Sequence, residues 1–166
     1  METGQRFDSR APSRSPEGRR LKRILFAEDD DIIAELAVMA LEDIGGFDVR
    51  HCTSGFETLD AAKSFQPELV LLDVMMPGMD GLETLSRLRR LPGMSKTPAV
   101  FMSAKVQRHE CESYMTAGAC GVVTKPFDPD TLPQVLQEFW IAATDAHNSK
   151  SPSDIQPGFG PPGAPP

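Results

Sequence analysis

Five short apolar segments alternate with segments of helical periodicity through the middle of this chain. The apolar segments are residues 24–27, 49–52, 69–72, 99–102 and 121–124. The third has four consecutive aliphatic residues, a pattern typical of a strand that is covered on both faces of a parallel sheet. Five strand–helix units are too few for a closed eight-stranded barrel, so they predict an open, doubly wound α/β fold with right-handed crossovers.

Apolar stripes at helical spacing fill two of the gaps. The first stripe consists of Ile33, Leu36, Ala37, Ala40, Leu41 and Ile44, and the second of Leu132, Val135, Leu136, Phe139, Trp140 and Ala143. Ser54 with Glu57 predicts a capping box for the second helix, and Asp128 with Pro129 predicts the N-cap and first turn of the last helix. Residues 108–117 have the weakest stripe, so we expect a loosely anchored helix there.

Composition divides the chain into three parts. Residues 1–21 are rich in Arg, Ser, Pro and Gly, and residues 145–166 end in a Pro/Gly-rich run. Both ends have too little apolar surface to offset the entropy of ordering, so we expect disordered tails flanking a folded domain at 22–144. No further domain is expected after residue 144, which predicts a stand-alone module.

Charge and cysteine content restrict the class of protein. The net charge is -7, from 17 basic and 24 acidic residues, which does not suit general DNA binding. The three cysteines cannot all pair within the chain and form no Cys-x-x-Cys motif, which favours a reducing compartment. We find no secretory signal and no apolar run of membrane-spanning length, so a cytoplasmic protein with no membrane contact is expected.

Polar side chains follow four of the five predicted strands at their carboxyl ends. In open α/β sheets this edge carries the ligand site, so these side chains should converge. They are Glu28, Asp29 and Asp30 after the first strand, Asp73 after the third, Ser103 after the fourth and Lys125 after the fifth.

These side chains predict a magnesium-dependent phosphoryl-transfer site. Clustered carboxylates repel one another, and Mg2+, which prefers carboxylate oxygens, waters and phosphate, relieves that repulsion. Asp73 would be the nucleophile that forms an acyl phosphate. Mg2+, Lys125 and the Ser103 hydroxyl would each contact one phosphoryl oxygen.

Four motifs in order resemble those of the response-regulator receiver family. They are residues 24–30 (ILFAEDD), 71–81 (LLDVMMPGMDG), 102–104 (MSA) and 125–127 (KPF). The resemblance covers essentially the whole predicted domain. It implies a flavodoxin-like (βα)5 fold with a parallel five-stranded sheet of order 2-1-3-4-5, and signalling in a two-component phosphorelay.

The resemblance also implies a role for individual residues. Asp73 is similar to the phosphorylated aspartate, Asp29 to the direct Mg2+ ligand, and Glu28 to the second acidic residue. The backbone carbonyl of Met75 would complete the metal shell, and the peptide bond after Lys125 is expected to be cis.

One position departs from the family pattern. Receivers commonly carry Tyr or Phe three residues before the lysine, where this chain has Val122. The family's paired hydroxyl–aromatic switch therefore cannot operate in its usual form here.

The resemblance implies a sensor histidine kinase or a histidine phosphotransfer protein as the phosphoryl donor. The expected output is contact with a protein target through the fourth helix, fifth strand and last helix, without direct DNA binding. A Mg2+-dependent phosphatase using Asp73 is an alternative, although Met75 occupies the place of the second acid in such enzymes. A binding module that ignores phosphate is another. The acids at 28–30 alone would be explained by helix capping.

Overall fold

The computed structural model describes residues 18–149. The predicted tails are 1–21 and 145–166, and all of the first except 18–21 and all of the second except 145–149 lie outside the described residues. Five strands alternate with five helices along the chain. The strands are β1 (Arg23–Ala27), β2 (Asp48–Cys52), β3 (Leu69–Asp73), β4 (Ala99–Ser103) and β5 (Gly121–Thr124). The helices are α1 (Asp31–Met39), α2 (Gly55–Phe65), α3 (Gly81–Leu88), α4 (Arg108–Thr116) and α5 (Leu132–Asn148), with a π-helical turn at Ala40–Ile44 continuing α1.

The five strands form one parallel sheet in the order β2-β1-β3-β4-β5, which confirms the predicted topology. Strand β1 lies between β2 and β3, so the strand order reverses beside β1. In a doubly wound sheet this reversal opens a crevice at the carboxyl ends of the central strands.

A hydrophobic core covers each face of the sheet. Successive residues of a strand point to opposite faces, so each central strand contributes to both cores. In β3, Val70 and Leu72 join the core beneath α2, α3 and α4, whereas Leu69 and Leu71 join the core beneath α1 and α5. All five residues of β3 are buried. The continuous apolar run in the sequence therefore marks the central strand, as predicted.

Helix α1 packs through part of the predicted stripe. Of the predicted residues, Ala37 is buried in the helix, and Ala40 and Leu41 are buried in the π-helical turn, together with Ala34, which was not predicted. The predicted core residues Leu36 and Ile44 are instead exposed. Alanines therefore line most of the buried face, while larger apolar residues on the outer side remain in solvent.

The capping predictions have mixed outcomes. Ser54 caps α2, and its Oγ accepts a hydrogen bond from the Glu57 N–H at 3.2 Å. Helix α5 begins at Leu132 with Thr131 as its N-cap, so the predicted start at Asp128 is wrong. The Asp128 carboxylate accepts from the Asp130 N–H at 3.0 Å and stabilises a turn that precedes the helix.

The ordered chain extends beyond both predicted limits of the domain. Leu21 is buried in the core beneath α5, and its N–H donates to Gln137 Oε1 at 3.1 Å. At the other end, α5 continues to Asn148 rather than stopping near 144. No helix within residues 18–149 combines the length and the apolar character that a bilayer-spanning helix needs.

Candidate functional site

The carboxyl ends of the strands bring every predicted site residue to one open cleft of about 250 Å3. The residues lining the cleft are Glu28, Asp29, Asp30, Ile33, Asp73, Met75, Ser103, Ala104 and Lys125. Strand β3 places Asp73 as its last residue and β4 places Ser103 as its last residue. The sheet continues one step further on this side, because the Lys125 N–H donates to the Ser103 carbonyl at 2.9 Å.

Lys125 joins two of the acids in this cleft. Its Nζ lies 2.7 Å from Glu28 Oε2 and 3.0 Å from Asp73 Oδ1. Burial by itself lowers the pKa of Lys125, but the contacts with Glu28 and Asp73 outweigh burial and the pKa is raised. The ammonium group therefore stays charged and holds both carboxylates at the cleft floor.

Glu28 is the most confined of the acids. It is buried, and its Oε1 accepts a hydrogen bond from the Asp30 N–H at 3.1 Å. Burial raises the pKa of Glu28 in spite of the opposing effect of Lys125. Glu28 Oε2 has the Lys125 ammonium group as its partner, and Lys125 shares that ammonium group with Asp73.

This arrangement fits a hard divalent cation. Glu28, Asp29 and Asp73 each offer a carboxylate oxygen, and these three oxygens lie within 4.8 Å of one another. Three carboxylates against one ammonium leave an excess of negative charge, and an oxygen-only donor set of this kind is what Mg2+ prefers. Glu28 Oε2, which pairs with the same ammonium group as Asp73, offers such an ion a buried ligand.

Asp30 lines the cleft and also caps a helix. It is the N-cap of α1, and its Oδ1 accepts from the N–H groups of Ile32 and Ile33 at 3.0 and 3.1 Å. The capping explanation therefore accounts for one of the three consecutive acids. It leaves Glu28 and Asp29 in the cleft.

The loop after β3 packs tightly against the backbone of Asp73. The Met75 N–H donates to Asp73 Oδ1 at 3.3 Å, and the Gly81 N–H donates to the Val74 carbonyl at 2.9 Å. A Cβ at Gly81 would collide with the Asp73 carbonyl oxygen, so only glycine lets α3 begin this close. On the far side of the cleft, the peptide bond between Lys125 and Pro126 is cis, as predicted.

A tyrosine that sequence reasoning missed contacts the site from α4. Tyr114 is buried, and its hydroxyl lies 3.1 Å from Ser103 Oγ. Tyr114 is the only tyrosine in the chain and lies in the helix with the weakest stripe. Those two facts were visible in the sequence, but the contact with Ser103 depends on how α4 packs.

Val122 lies near this tyrosine but offers no polar group. It pairs with Phe101 in the register of β4 and β5, and it packs against the core that contains Phe101 and Tyr114. Strand β5 thus lacks an aromatic residue, and α4 supplies one to the same core instead.

The sequence of this chain is similar to those of curated regulatory proteins. The chain is 41% identical over 109 residues to the transcriptional regulatory protein CseB of Streptomyces avermitilis, covering 66% of this chain and 45% of CseB. It is 36% identical over 111 residues to the DNA-binding response regulator MtrA of Mycolicibacterium smegmatis, covering 67% of this chain and 47% of MtrA. The chain thus spans about half the length of these curated relatives.

Solved structures share the fold over nearly their whole length. The chemotaxis protein CheY4 of Vibrio cholerae superposes with a TM-score of 0.68 at 27% identity, covering 72% of this chain and 98% of CheY4. A putative response regulator from Chloroflexus aurantiacus gives a TM-score of 0.67 at 28% identity, with 73% and 98% of the two chains covered. The family described as "Response regulator receiver domain" matches residues 24–137, which contain the whole cleft, and this chain belongs to that family.

Proposed function

We propose that this receiver domain accepts a phosphoryl group on Asp73 from a phosphohistidine donor and signals through a protein contact. A carboxylate oxygen of Asp73 attacks phosphorus and forms an acyl phosphate. The bond between phosphorus and the donor imidazole breaks, and the leaving nitrogen keeps the electron pair and takes up a proton. When bound by Glu28, Asp29 and Asp73, with the Met75 carbonyl as the predicted further ligand, Mg2+ supplies positive charge that offsets the charge on the phosphoryl oxygens.

The side chains of this chain contribute to the same step in two ways. Lys125 already lies 3.0 Å from Asp73 Oδ1, so its ammonium group can pass from that carboxylate oxygen to an oxygen of the incoming group. Ser103 ends the neighbouring strand and carries a hydroxyl that can donate to another oxygen. Lys125 lies in place beforehand, which is how phosphoryl transfer is mainly promoted, whereas the Ser103 hydroxyl has to turn away from Lys105 before it can donate.

One observation supports the proposal most strongly. Two buried carboxylates, Glu28 and Asp73, share a single ammonium group, and Asp29 adds a third carboxylate beside them. A purely structural cluster would leave this excess of negative charge uncompensated. A divalent cation would compensate the excess charge and would also attract a phosphoryl group.

Intact-mass analysis after incubation with acetyl phosphate and Mg2+ tests the proposal. We expect a single phosphoryl adduct on the wild type, and none on Asp73→Asn or after Mg2+ is removed with EDTA. Asp60→Asn, which changes an exposed carboxylate on α2, is the matched control and should retain the adduct. An adduct that survives in Asp73→Asn would contradict the assignment of the acceptor.

A sensor histidine kinase or a histidine phosphotransfer protein is the proposed donor. Helix α1 begins at the cleft and exposes Ile32, Leu36 and Met39, which share one face of the helix. An apolar stripe at this position supports docking of a helical, histidine-bearing partner. Transfer of radiolabel from a phosphorylated histidine phosphotransfer protein should fall in Ile32→Ser, while labelling by acetyl phosphate stays unchanged.

The remaining expectations about the whole protein stay predictions. The matched relatives include proteins named as transcriptional and DNA-binding regulators, and the match covers about half of each. The stand-alone organisation, the cytoplasmic location, the disordered tails and the absence of direct DNA contact by this domain are not tested by that match. We retain α4, β5 and α5 as the proposed output surface.

The two alternative functions make different predictions for the same sample. A phosphatase would turn over a phosphomonoester such as p-nitrophenyl phosphate, and a phosphate-independent binding module would show no adduct at all. Met75 stands two residues after Asp73, where an acid would be needed for turnover, so we expect no phosphatase activity.

A further inference from the structure

The hydroxyl of Ser103 has no free hydrogen-bonding capacity in this structure. Ser103 Oγ donates to the Lys105 carbonyl at 2.9 Å, accepts from the Lys105 N–H at 3.0 Å, and lies 3.1 Å from Tyr114 Oη. A serine hydroxyl has one proton and two lone pairs, so when that proton is donated to the Lys105 carbonyl, the nearer of its two possible acceptors, Tyr114 donates to Ser103. The Ser103 proton therefore points at the Lys105 carbonyl, and this hydrogen bond must break before the hydroxyl can donate to a phosphoryl oxygen.

Tyr114 is also what attaches α4 to the rest of the domain. Within Arg108–Thr116 it is the only buried residue. Its ring packs against Phe101 of β4, with the ring centroids 5.5 Å apart and the planes tilted by 54°. Any change at the Ser103 hydroxyl thus acts on the residue by which α4 is anchored.

A second acceptor for Tyr114 lies within reach. Tyr114 Oη is 3.4 Å from the Lys105 carbonyl, the group to which Ser103 now donates. If Ser103 turned toward Asp73, this carbonyl would lose its partner and Tyr114 could donate to it instead. The three groups therefore have two satisfied hydrogen-bond arrangements, which is what a two-state element requires.

The rest of the local structure leaves this role to Tyr114. Val122 on β5 packs against the same core but carries neither a ring nor a hydroxyl. The loop between β4 and α4 holds the Lys105 groups that contact both hydroxyls. Ser103 is therefore connected to α4 directly, through Tyr114.

We propose that Tyr114 is a positioning residue for the Ser103 hydroxyl. When Asp73 is phosphorylated, Tyr114 gives up its hydrogen bond with Ser103 and donates to the Lys105 carbonyl, and this exchange changes how α4 packs on the domain. This inference rests on the proposed function, because the phosphoryl group is the trigger. It goes beyond that function by naming the residue through which the event leaves the site.

The sequence provides a direct probe, because Tyr114 is the only tyrosine. Protein labelled with 3-fluorotyrosine gives a single 19F resonance. We expect this resonance to move by more than its line width when acetyl phosphate and Mg2+ are added, with intact mass measured on the same sample. Ser103→Thr keeps the hydroxyl and should keep the response, whereas Ser103→Ala should move the starting resonance and lose most of the response.

Amide exchange tests whether the signal reaches α4. In the wild type we expect phosphorylation to change exchange rates across residues 108–116 by about fivefold, the change that corresponds to the net free energy of one hydrogen bond. Tyr114→Phe retains the ring on Phe101 but lacks the hydroxyl, so this change should fall below about twofold while the adduct still forms. Met115→Ala alters an exposed neighbour on the same helix and should behave as the wild type.

The outcomes separate the two proposals. A wild-type protein without an adduct would overturn the proposed function and this inference with it. An adduct without movement of the 19F resonance, or an exchange response that persists unchanged in Tyr114→Phe, would overturn the inference alone.

Discussion

Helices α4 and α5 lie on opposite faces of the same edge of the sheet, yet they are held very differently. Helix α5 buries Leu132, Pro133, Leu136 and Trp140, whereas α4 buries Tyr114 alone. Buried apolar area sets most of the free energy that attaches a helix to its domain. The comparison predicts that α4 separates from the sheet more readily than α5.

The chain preceding β1 strengthens this contrast. Arg19 pairs with Asp145 at 2.9 Å and lies 5.7 Å from the ring centre of Trp140, and Leu21 donates to Gln137. These contacts hold the middle and the end of α5 on the sheet. On α4, the ion pair of Arg108 with Glu112 lies within the helix itself and attaches it to nothing else.

The largest expected effect is on the α5 side of the comparison. Leu136 is completely buried, so Leu136→Ala should lower the free energy of unfolding in urea by about 3 kcal/mol. The exposed Met115 of α4 is the control, and Met115→Ala should change stability by less than about 0.5 kcal/mol. Similar losses for the two variants would show that the helices are anchored equally well.

Native-state hydrogen exchange compares the two helices without mutation. Amides in the middle of α5 should open with nearly the global free energy of unfolding, and those of α4 at least about 2 kcal/mol below it. The measurement is the protection factor of residues 110–116 against that of residues 136–142. Equal protection would contradict the inference that α4 is the movable element.

A smaller effect is expected when only the tyrosine hydroxyl is removed. Tyr114→Phe leaves the ring packed on Phe101 but deletes the hydrogen bond to Ser103, so stability should fall by about 1 kcal/mol. Thermal and urea unfolding of the unphosphorylated protein measure this cost. The double variant with Ser103→Ala should lose less than the sum of the two single changes, because the partners share one contact.

The smallest effect concerns the attachment of α5 by the residues before β1. Arg19→Ala should destabilise the domain by about 0.5 kcal/mol, since its ion pair is exposed and its contact with Trp140 is a single cation–π interaction. The loss should shrink as salt is added. Arg108→Ala, which removes the exposed pair on α4, is the matched control and should have almost no effect.

The central sheet and the cleft were predictable because two strong signals agree. The continuous run before Asp73 marks a strand buried on both faces, and topology then carries the residues after each strand to a single edge. The chemical type of these residues then favoured a divalent cation, because it prefers clustered carboxylate oxygens. The sequence alone therefore predicted that one cleft contains Glu28, Asp29, Asp73, Ser103 and Lys125.

The helices were less predictable, for physical reasons that differ from case to case. In α1, large residues such as Leu36 dominate the periodicity, but Ala34 and Ala37 are the residues that the helix buries. Before α5, the Asp128 side chain stabilises a preceding turn, and the same residue type would equally have capped a helix. Tyr114 was missed because its importance depends on one distance between separate elements.

The collision that any side chain at position 81 would have with the Asp73 carbonyl has a further consequence. The first turn of α3 lies directly against the peptide of Asp73, the proposed acceptor, with no compressible layer between them. A fusion, graft or crosslink that tilts α3 should therefore displace the backbone of Asp73. A protein engineer who wants to alter the cleft from outside can act through α3, and one who wants to leave the cleft unchanged should attach elsewhere.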